Sequence, residues 1–327
     1  NHEELIGAAL AGCFSMALAL ELENAGYPPE AIATQARVHL DPKSLSIVKI
    51  DLLTQATVAG IDEVSFQQIA LGAKSGCPVS KALAGTEIVV AANACTDRTV
   101  AIARGFEAEA AARGWRLAVL DLERGGKPLA LNAGDAAAMR FPRVYLDADV
   151  VMGPRLLAAL VAALDREAPA YASGRLEVAP ASSRVTRAYA RVWTRLPFMT
   201  DCVAGAGLFA VNAAGRARWG AFPEIISDDM LARLSFAPHE RIGVDEPFLW
   251  PMVEGFSRLV RVRRRQDAGV AELAALRPGL MANEDKPALT RGRLLRIALS
   301  DPLGLAVYVG VALAVRAKRG GGWSRGR

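Results

Sequence analysis

Two aspartates one residue apart, Asp147 and Asp149, stand at the end of the apolar stretch Phe141–Val151. The stretch is partly β-branched and reads as a short strand running straight into acid. Side chains alternate along an extended chain, so both carboxylates are predicted to point the same way. Two anionic oxygen donors at a strand end suit a hard divalent cation, Mg²⁺ or Mn²⁺, which keeps positions open for substrate phosphates. In open α/β sheets, ligands collect beyond the carboxyl ends of the strands, where these acids would sit. The alternative is a solvated acidic loop.

Composition narrows the setting. The 327 residues suffice for one large or two ordinary domains, and 52% hydrophobic with 22% charged residues describe a folded chain. The charge of +5 comes with only 6% aromatic residues, and the arginines gather toward the C-terminus. That pattern favours phosphate-bearing small molecules or an anionic membrane surface over nucleic acid. Cys13, Cys77, Cys95 and Cys202 lack metal-type spacing, and three histidines (His2, His39, His239) make a multi-histidine centre a poor fit. A reducing, cytoplasmic location is expected, and the acidic opening Asn1-His2-Glu3-Glu4 does not read as a signal peptide.

The elements that must position these residues follow in order. A helix is predicted over Glu3–Glu23, apolar on most of its circumference and so expected to be buried. Strands follow at Ile32–Leu40 and Leu45–Val58, joined by the turn Asp41–Ser44, then a helix at Asp62–Lys74. From Thr86 strand and helix alternate: a strand to Ala92, an alanine-rich helix to Arg113, a strand at Arg116–Leu120, a helix at Leu129–Met139, the Asp147 strand, and a helix at Pro154–Asp165. Alternation predicts an α/β fold with a mostly parallel sheet. The run Arg258–Arg265 reads as a solvated basic strand or a phosphate contact. Leu303–Val315, bracketed by Arg296, Arg316, Lys318 and Arg319, is short for a span. It reads as a membrane-surface or re-entrant helix with basic anchors, or as a buried core helix, before a flexible basic tail at Gly320–Arg327.

Two family resemblances lie on these elements. Asn1–Met16 (NHEELIGAALAGCFSM) and Ser75–Glu87 (SGCPVSKALAGTE) resemble the OsmC/Ohr thiol peroxidases. The resemblance implies Cys13 as peroxidatic thiol, Cys77 as its resolving partner, Glu3 as an active-site glutamate, and an organic hydroperoxide as substrate. A thiolate attacks the peroxide and a second thiol traps the sulfenic acid. That family places an arginine and strands ahead of this helix, and the sequence as read opens at the helix, so weakened peroxidase chemistry is expected.

Residues from about Ile88 to Arg327 resemble a family 2 glycosyltransferase of GT-A fold. The resemblance is carried by Asn93–Thr99, Gly126-Lys127-Pro128-Leu129-Ala130-Leu131-Asn132, Asp147-Ala148-Asp149, Gly205-Ala206-Gly207 and Ser227-Asp228-Asp229. It implies a nucleotide-sugar donor, an acceptor of unstated chemistry, and a divalent metal on Asp149 with Asp147. Asn93 and Asp97 would lie in the nucleotide-binding turn. Lys127 either touches the donor nucleotide or merely follows a Gly-Gly turn. Asp229, with Asp228 beside it, would carry the catalytic base, though Ser-Asp-Asp also starts a helix well. Gly205 and Gly207 either admit a ligand close to the backbone or make an ordinary tight turn. Arg-Arg-Arg-Gln-Asp stands where the family often has a pyrophosphate-binding Gln-x-x-Arg-Trp.

The expected organisation is an OsmC/Ohr-like segment at 1–88, a GT-A-like domain at 89–290 without its first strand and helix, and a basic, apolar segment at 291–327 with peripheral membrane contact. The leading reading is a metal-dependent glycosyltransferase. A thiol peroxidase and a non-catalytic chimera are the alternatives.

Overall fold

The computed structural model describes residues 2–41, 46–83 and 85–317. The turn read at Pro42–Ser44 and the tail with Lys318 and Arg319 lie outside the described residues. The chain divides into two compact units, Asn1–Gly125 with Ala133–Ala138, and Gly126–Asn132 with Met139–Arg327. The division of the backbone thus falls near Gly125, whereas the two resemblances meet near residue 88.

The first unit opens with α1 (His2–Asn24), whose Leu10, Phe14, Leu18 and Leu22 recur every four residues on one buried face. That face packs on the antiparallel hairpin β1 (Pro29–Asp41) and β2 (Ser46–Val58) and on α2 (Glu63–Gly76). Burial stops there: Leu5, Met16 and Leu20 are exposed, because only one side of the helix meets a partner. Asp62 caps α2, its carboxylate accepting the Ser65 N–H at 2.8 Å. After α3 (Pro78–Leu83), β3 (Glu87–Asn93) pairs in parallel with β4 (Arg116–Leu122). Between them the expected single helix is two, α4 (Thr99–Arg104) and α5 (Glu107–Ala112), broken at Gly105, a poor helix former.

α6 (Lys127–Ala137) leads into the second unit, whose five-stranded sheet has the order β5-β8-β7-β9-β6. The strands are β5 (Arg143–Leu146), β6 (Val151–Met152), β7 (Tyr171–Val178), β8 (Leu208–Val211) and β9 (Arg241–Trp250). β7 and β9 run parallel and the other pairs antiparallel, so the α/β sheet is mixed. Both faces are buried, as alternation shows. Leu208 and Ala210 join Leu156, Leu160 and Phe248 in one core, while Phe209 and Val211 join Tyr171, Phe236 and Leu273 in the other.

Helices α7 (Leu156–Leu164), α8 (Arg184–Trp193), α9 (Pro197–Thr200), α10 (Ala213–Arg216), α11 (Asp228–Leu234), α12 (Phe256–Leu276), α13 (Arg291–Ser300) and α14 (Pro302–Ala317) complete the unit. The basic run Arg258–Arg265 lies on α12, which corrects the strand reading. Arg264 donates to the carbonyls of Ala314 and Val315 at 2.6 and 3.3 Å, satisfying acceptors that the end of α14 leaves unpaired. α14 buries Val311 against Tyr189, Met252 and Leu259 but exposes Leu303, Val309 and Leu313. Arg191 forks onto Asp301 at 2.7 and 3.1 Å, at the bend between α13 and α14. Among the described residues α1 is long and apolar enough to cross a membrane, and α13 with α14, bent by 119°, is so only when the two are taken together.

Candidate active site

β5 ends at Leu146, and Asp147 begins a turn closed by the Val150 N–H donating to the Asp147 carbonyl at 3.0 Å. Asp149 sits exposed on that turn. The pleat therefore does not orient it, and the expectation of two carboxylates aligned along an extended strand is corrected. The Asp147 N–H donates to the Gly207 carbonyl at 2.8 Å, fastening the turn to the start of β8.

The closest partner of Asp147 is a lysine. Lys127, first residue of α6, donates to Asp147 Oδ1 at 2.8 Å and to Asp228 Oδ2 at 3.0 Å. Asp228, which opens α11, is only 3% exposed, so its charge leans on this ammonium. Leu131, Tyr145, Leu146, Gly207, Phe209 and Asp229 join these three around a cleft of about 20 Å³. It has room for a reacting atom or a water rather than for a whole nucleotide.

The cleft shifts its own acids. Burial pushes the Asp228 carboxyl up to about 6, against the pull of Lys127. Burial also raises Asp229, with Lys127 and the Met230 N–H, which donates to Asp229 Oδ1 at 2.8 Å, opposing it. Burial alone would depress Lys127, but Asp228, Asp147 and Asp229 together hold the ammonium above the ordinary lysine range. A carboxylate raised in this way is a stronger base near neutral pH.

The glycine turn is filled by the protein itself. Gly205 has φ +64°, and a Cβ there would lie 1.7 Å from the Tyr171 hydroxyl. At Gly207, φ +73°, a Cβ would meet Trp250 and Val150 at 2.8 and 2.9 Å. These glycines let side chains of the sheet approach the backbone, so no ligand is needed to explain them. Asn132 of the Gly-Lys motif is likewise structural: it exchanges two hydrogen bonds with the Phe222 backbone, at 2.9 and 2.7 Å.

Tyr145 and Phe209, stacked at 4.7 Å between centroids, line the cleft and were not singled out from sequence. A signal existed for Tyr145, which precedes Asp147 by two residues and so shares its side of the strand. Leu131 follows Lys127 by four residues on α6 and shares its helical face.

As a metal centre the donor set is sparse. Among the described residues no group of three or more His, Cys, Asp or Glu could hold an ion. Mg²⁺ is usually held by one or two carboxylates, with waters and substrate phosphates completing its shell.

The remaining site residues belong to the first unit. Asn93 ends β3, and Asp97 accepts the Thr99 N–H at 2.9 Å in a local turn ahead of α4. Cys13, in the middle of α1, and buried Cys77, just before α3, bring their sulfurs to 2.9 Å inside the core of Leu10, Phe14 and Ala73. The hydrogen bond shared with Cys77 raises Cys13. Cys77 would be raised by burial, yet Cys13 and the Ser80 N–H, 3.4 Å from its sulfur, carry it below the ordinary range. The thiolate is thus favoured at Cys77. Glu3 lies in the first turn of α1, about 15 Å of helical rise from Cys13, so the helix does not bring the two together.

Two family models match the chain: OsmC-like protein over residues 1–93, and Glycosyl transferase family 2 over residues 81–218. They overlap across β3. Peroxiredoxin OsmC of Escherichia coli (strain K12) and that of Shigella flexneri are each 52% identical over 85 residues, 25% of this chain. The chain spans 59% of the length of these curated relatives. The crystal structure of the organic hydroperoxide resistance protein OhrB of Bacillus subtilis shares 19% identity at a TM-score of 0.23, covering 37% of this chain and 69% of that one. An OsmC-like segment is therefore followed here by a glycosyl transferase family 2 segment.

Proposed function

We propose that the second unit transfers a sugar from a nucleotide-sugar donor to an acceptor hydroxyl, with Asp229 as general base. The observation that carries this is the cleft itself, where buried Asp228, half-buried Asp229 and partly exposed Asp147 surround one ammonium, together with the family 2 match over residues 81–218. Asp229, raised by burial, takes the proton of the acceptor hydroxyl as it attacks the anomeric carbon in line. Lys127 holds Asp147 and Asp228 in place and presents a positive charge toward the leaving diphosphate. The family commonly uses divalent metals, and Asp147 with Asp149 would hold one here. When bound, it would offset charge on the diphosphate leaving group.

The test is nucleotide release from UDP- and GDP-sugars by the full chain with Mg²⁺ or Mn²⁺. Release that Asp229→Asn removes supports the reading. Release that is equal in wild type and Asp229→Asn would refute it.

A second reading, thiol peroxidase activity of the first unit, is favoured by the 2.9 Å approach of Cys13 and Cys77 and by the identity with the peroxiredoxin relatives. An organic hydroperoxide would be its substrate. The location we favour is the cytoplasm, at an anionic membrane face, where exposed Leu295, Leu299 and Leu303 lie beside Arg291 and Arg296.

A further inference from the structure

We infer that Lys127 and a divalent ion compete for Asp147, and that a diphosphate settles the competition by taking over the ammonium. The diphosphate half of this rests on the transferase reading above. The starting point is geometric. One ammonium bridges Asp147 and Asp228 at 2.8 and 3.0 Å, in a cleft of about 20 Å³. A small hard divalent ion keeps several waters when it binds. Its charge is repelled by an ammonium held on the same carboxylate.

The two carboxylates differ in how readily they can release the lysine. Asp228 has a side chain 4% exposed, so losing its counter-ion would strand a charge away from water. The side chain of Asp147 is 37% exposed, so water or an ion can replace the ammonium there. The lysine therefore stays with Asp228 and gives up Asp147. An ammonium has three N–H donors in all, and a phosphate oxygen takes the one that Asp147 releases. Asp147 is then open to the ion, which the same diphosphate also ligates. Ion and diphosphate should consequently bind cooperatively, each weakly alone.

The test titrates Mn²⁺ alone into the full chain and follows free Mn²⁺ by electron paramagnetic resonance. Lys127→Met should bind Mn²⁺ at least about tenfold more tightly than wild type, since the competing charge is gone. Lys127→Arg, which keeps the charge, should stay near wild type. Equal or weaker binding by Lys127→Met overturns the inference, as does a gain that survives Asp147→Asn in the same background. Should Lys127→Met fold poorly, Lys127→Met/Asp228→Asn compared with Asp228→Asn must show the same gain. With UDP or GDP added, Mn²⁺ affinity should rise in wild type and rise less in Lys127→Met. Equal enhancement overturns the diphosphate half. The nucleotide-free arm is independent of sugar transfer, so a Lys127-dependent Mn²⁺ gain in a protein that never transfers sugar would sink only the transferase reading.

Discussion

Cys13 with Cys77 in the first unit and Lys127 with its carboxylates in the second are built on opposite principles. In the first unit Cys13 and Cys77 meet at 2.9 Å among leucines and alanines, and what acts on Cys13 is Cys77, the Val79 backbone and burial. In the second unit Lys127 touches two carboxylates and feels a third, so charge is buried and answered by charge. The difference teaches what each site can do unaided. A thiol needs a positive neighbour or donors to become a nucleophile at neutral pH, and Cys13 has been moved the wrong way. A carboxylate needs only burial to become a useful base, and Asp229 has it.

The largest effect that would break this contrast lies at the base. Asp229→Asn keeps an oxygen to accept the Met230 N–H but removes basicity, so transfer should fall by about 10²–10⁴-fold while UDP or GDP affinity stays near wild type. Transfer kinetics and nucleotide titration on one preparation check it. Unchanged kcat with weakened nucleotide binding would make Asp229 a donor ligand and Asp228 the better base.

Next in size is the stability of the charged cleft. Lys127→Met leaves Asp228 buried without its counter-ion, at a cost of about 2–3 kcal/mol at pH 8 once the half-exposed ammonium is discounted for screening. The pH sign follows from the raised carboxyl. A folded-state value of about 6 against an ordinary 3.8 means the native state holds the proton longer, so this group's contribution to stability declines as pH rises from about 4 through 6. Without Lys127 the window extends higher. The melting-temperature deficit of Lys127→Met should therefore shrink between pH 8 and pH 5.5, and Asp228→Asn in the same chain should remove that pH dependence. A deficit independent of pH would show that Asp228 is not the stranded charge.

How much of this was legible in the sequence follows from the same contrast. The thiol pair was readable because each cysteine sits in a local motif, and the first hairpin because alternation and a turn mark it. The strand before Asp147 was legible, but its end at Leu146 was not, since no glycine or proline marks where the turn begins. The lysine's place among three acids was not legible either, because residues 127, 147 and 228 meet only through the sheet order. The basic run on α12 misled because arginine fits helix and strand surfaces alike, while the decisive contact, Arg264 with the end of α14, spans fifty residues. Gly205 and Gly207 were correctly seen as special, yet their reason, Tyr171 and Trp250 pressing on the turn, lies in other strands.

A smaller effect sharpens the comparison from the thiol side. Cys13 is raised, so its thiolate is scarce at pH 7, and disulfide formation with Cys77 under organic hydroperoxide should speed up by up to about tenfold per pH unit from pH 7 toward 8.5. Quenched-flow labelling with mass spectrometry reads both the rate and the pairing. A fast rate that is flat with pH would mean Cys13 is already ionised, and the contrast between the units would fail.

The smallest effect is the coupling between the two thiols when nothing oxidises them. Cys77 is fully buried and Cys13 partly so, and their contact is a neutral sulfur hydrogen bond within a packed core. Neutral hydrogen bonds contribute about 0.5–1.5 kcal/mol net, and sulfur is a weak donor and acceptor, so the pair should fall at or below the lower end. A double-mutant cycle of Cys13→Ala and Cys77→Ala, by urea unfolding with reductant present, isolates that term from the cavity each truncation leaves. The same cycle on Lys127→Met and Asp228→Asn should give a coupling several times larger, because truncating one partner there exposes the other to an unanswered charge. Equal couplings would mean that the thiol pair is ionised in the resting protein. Cys77 is then where the charge must sit, since the Ser80 N–H and Cys13 both favour its thiolate.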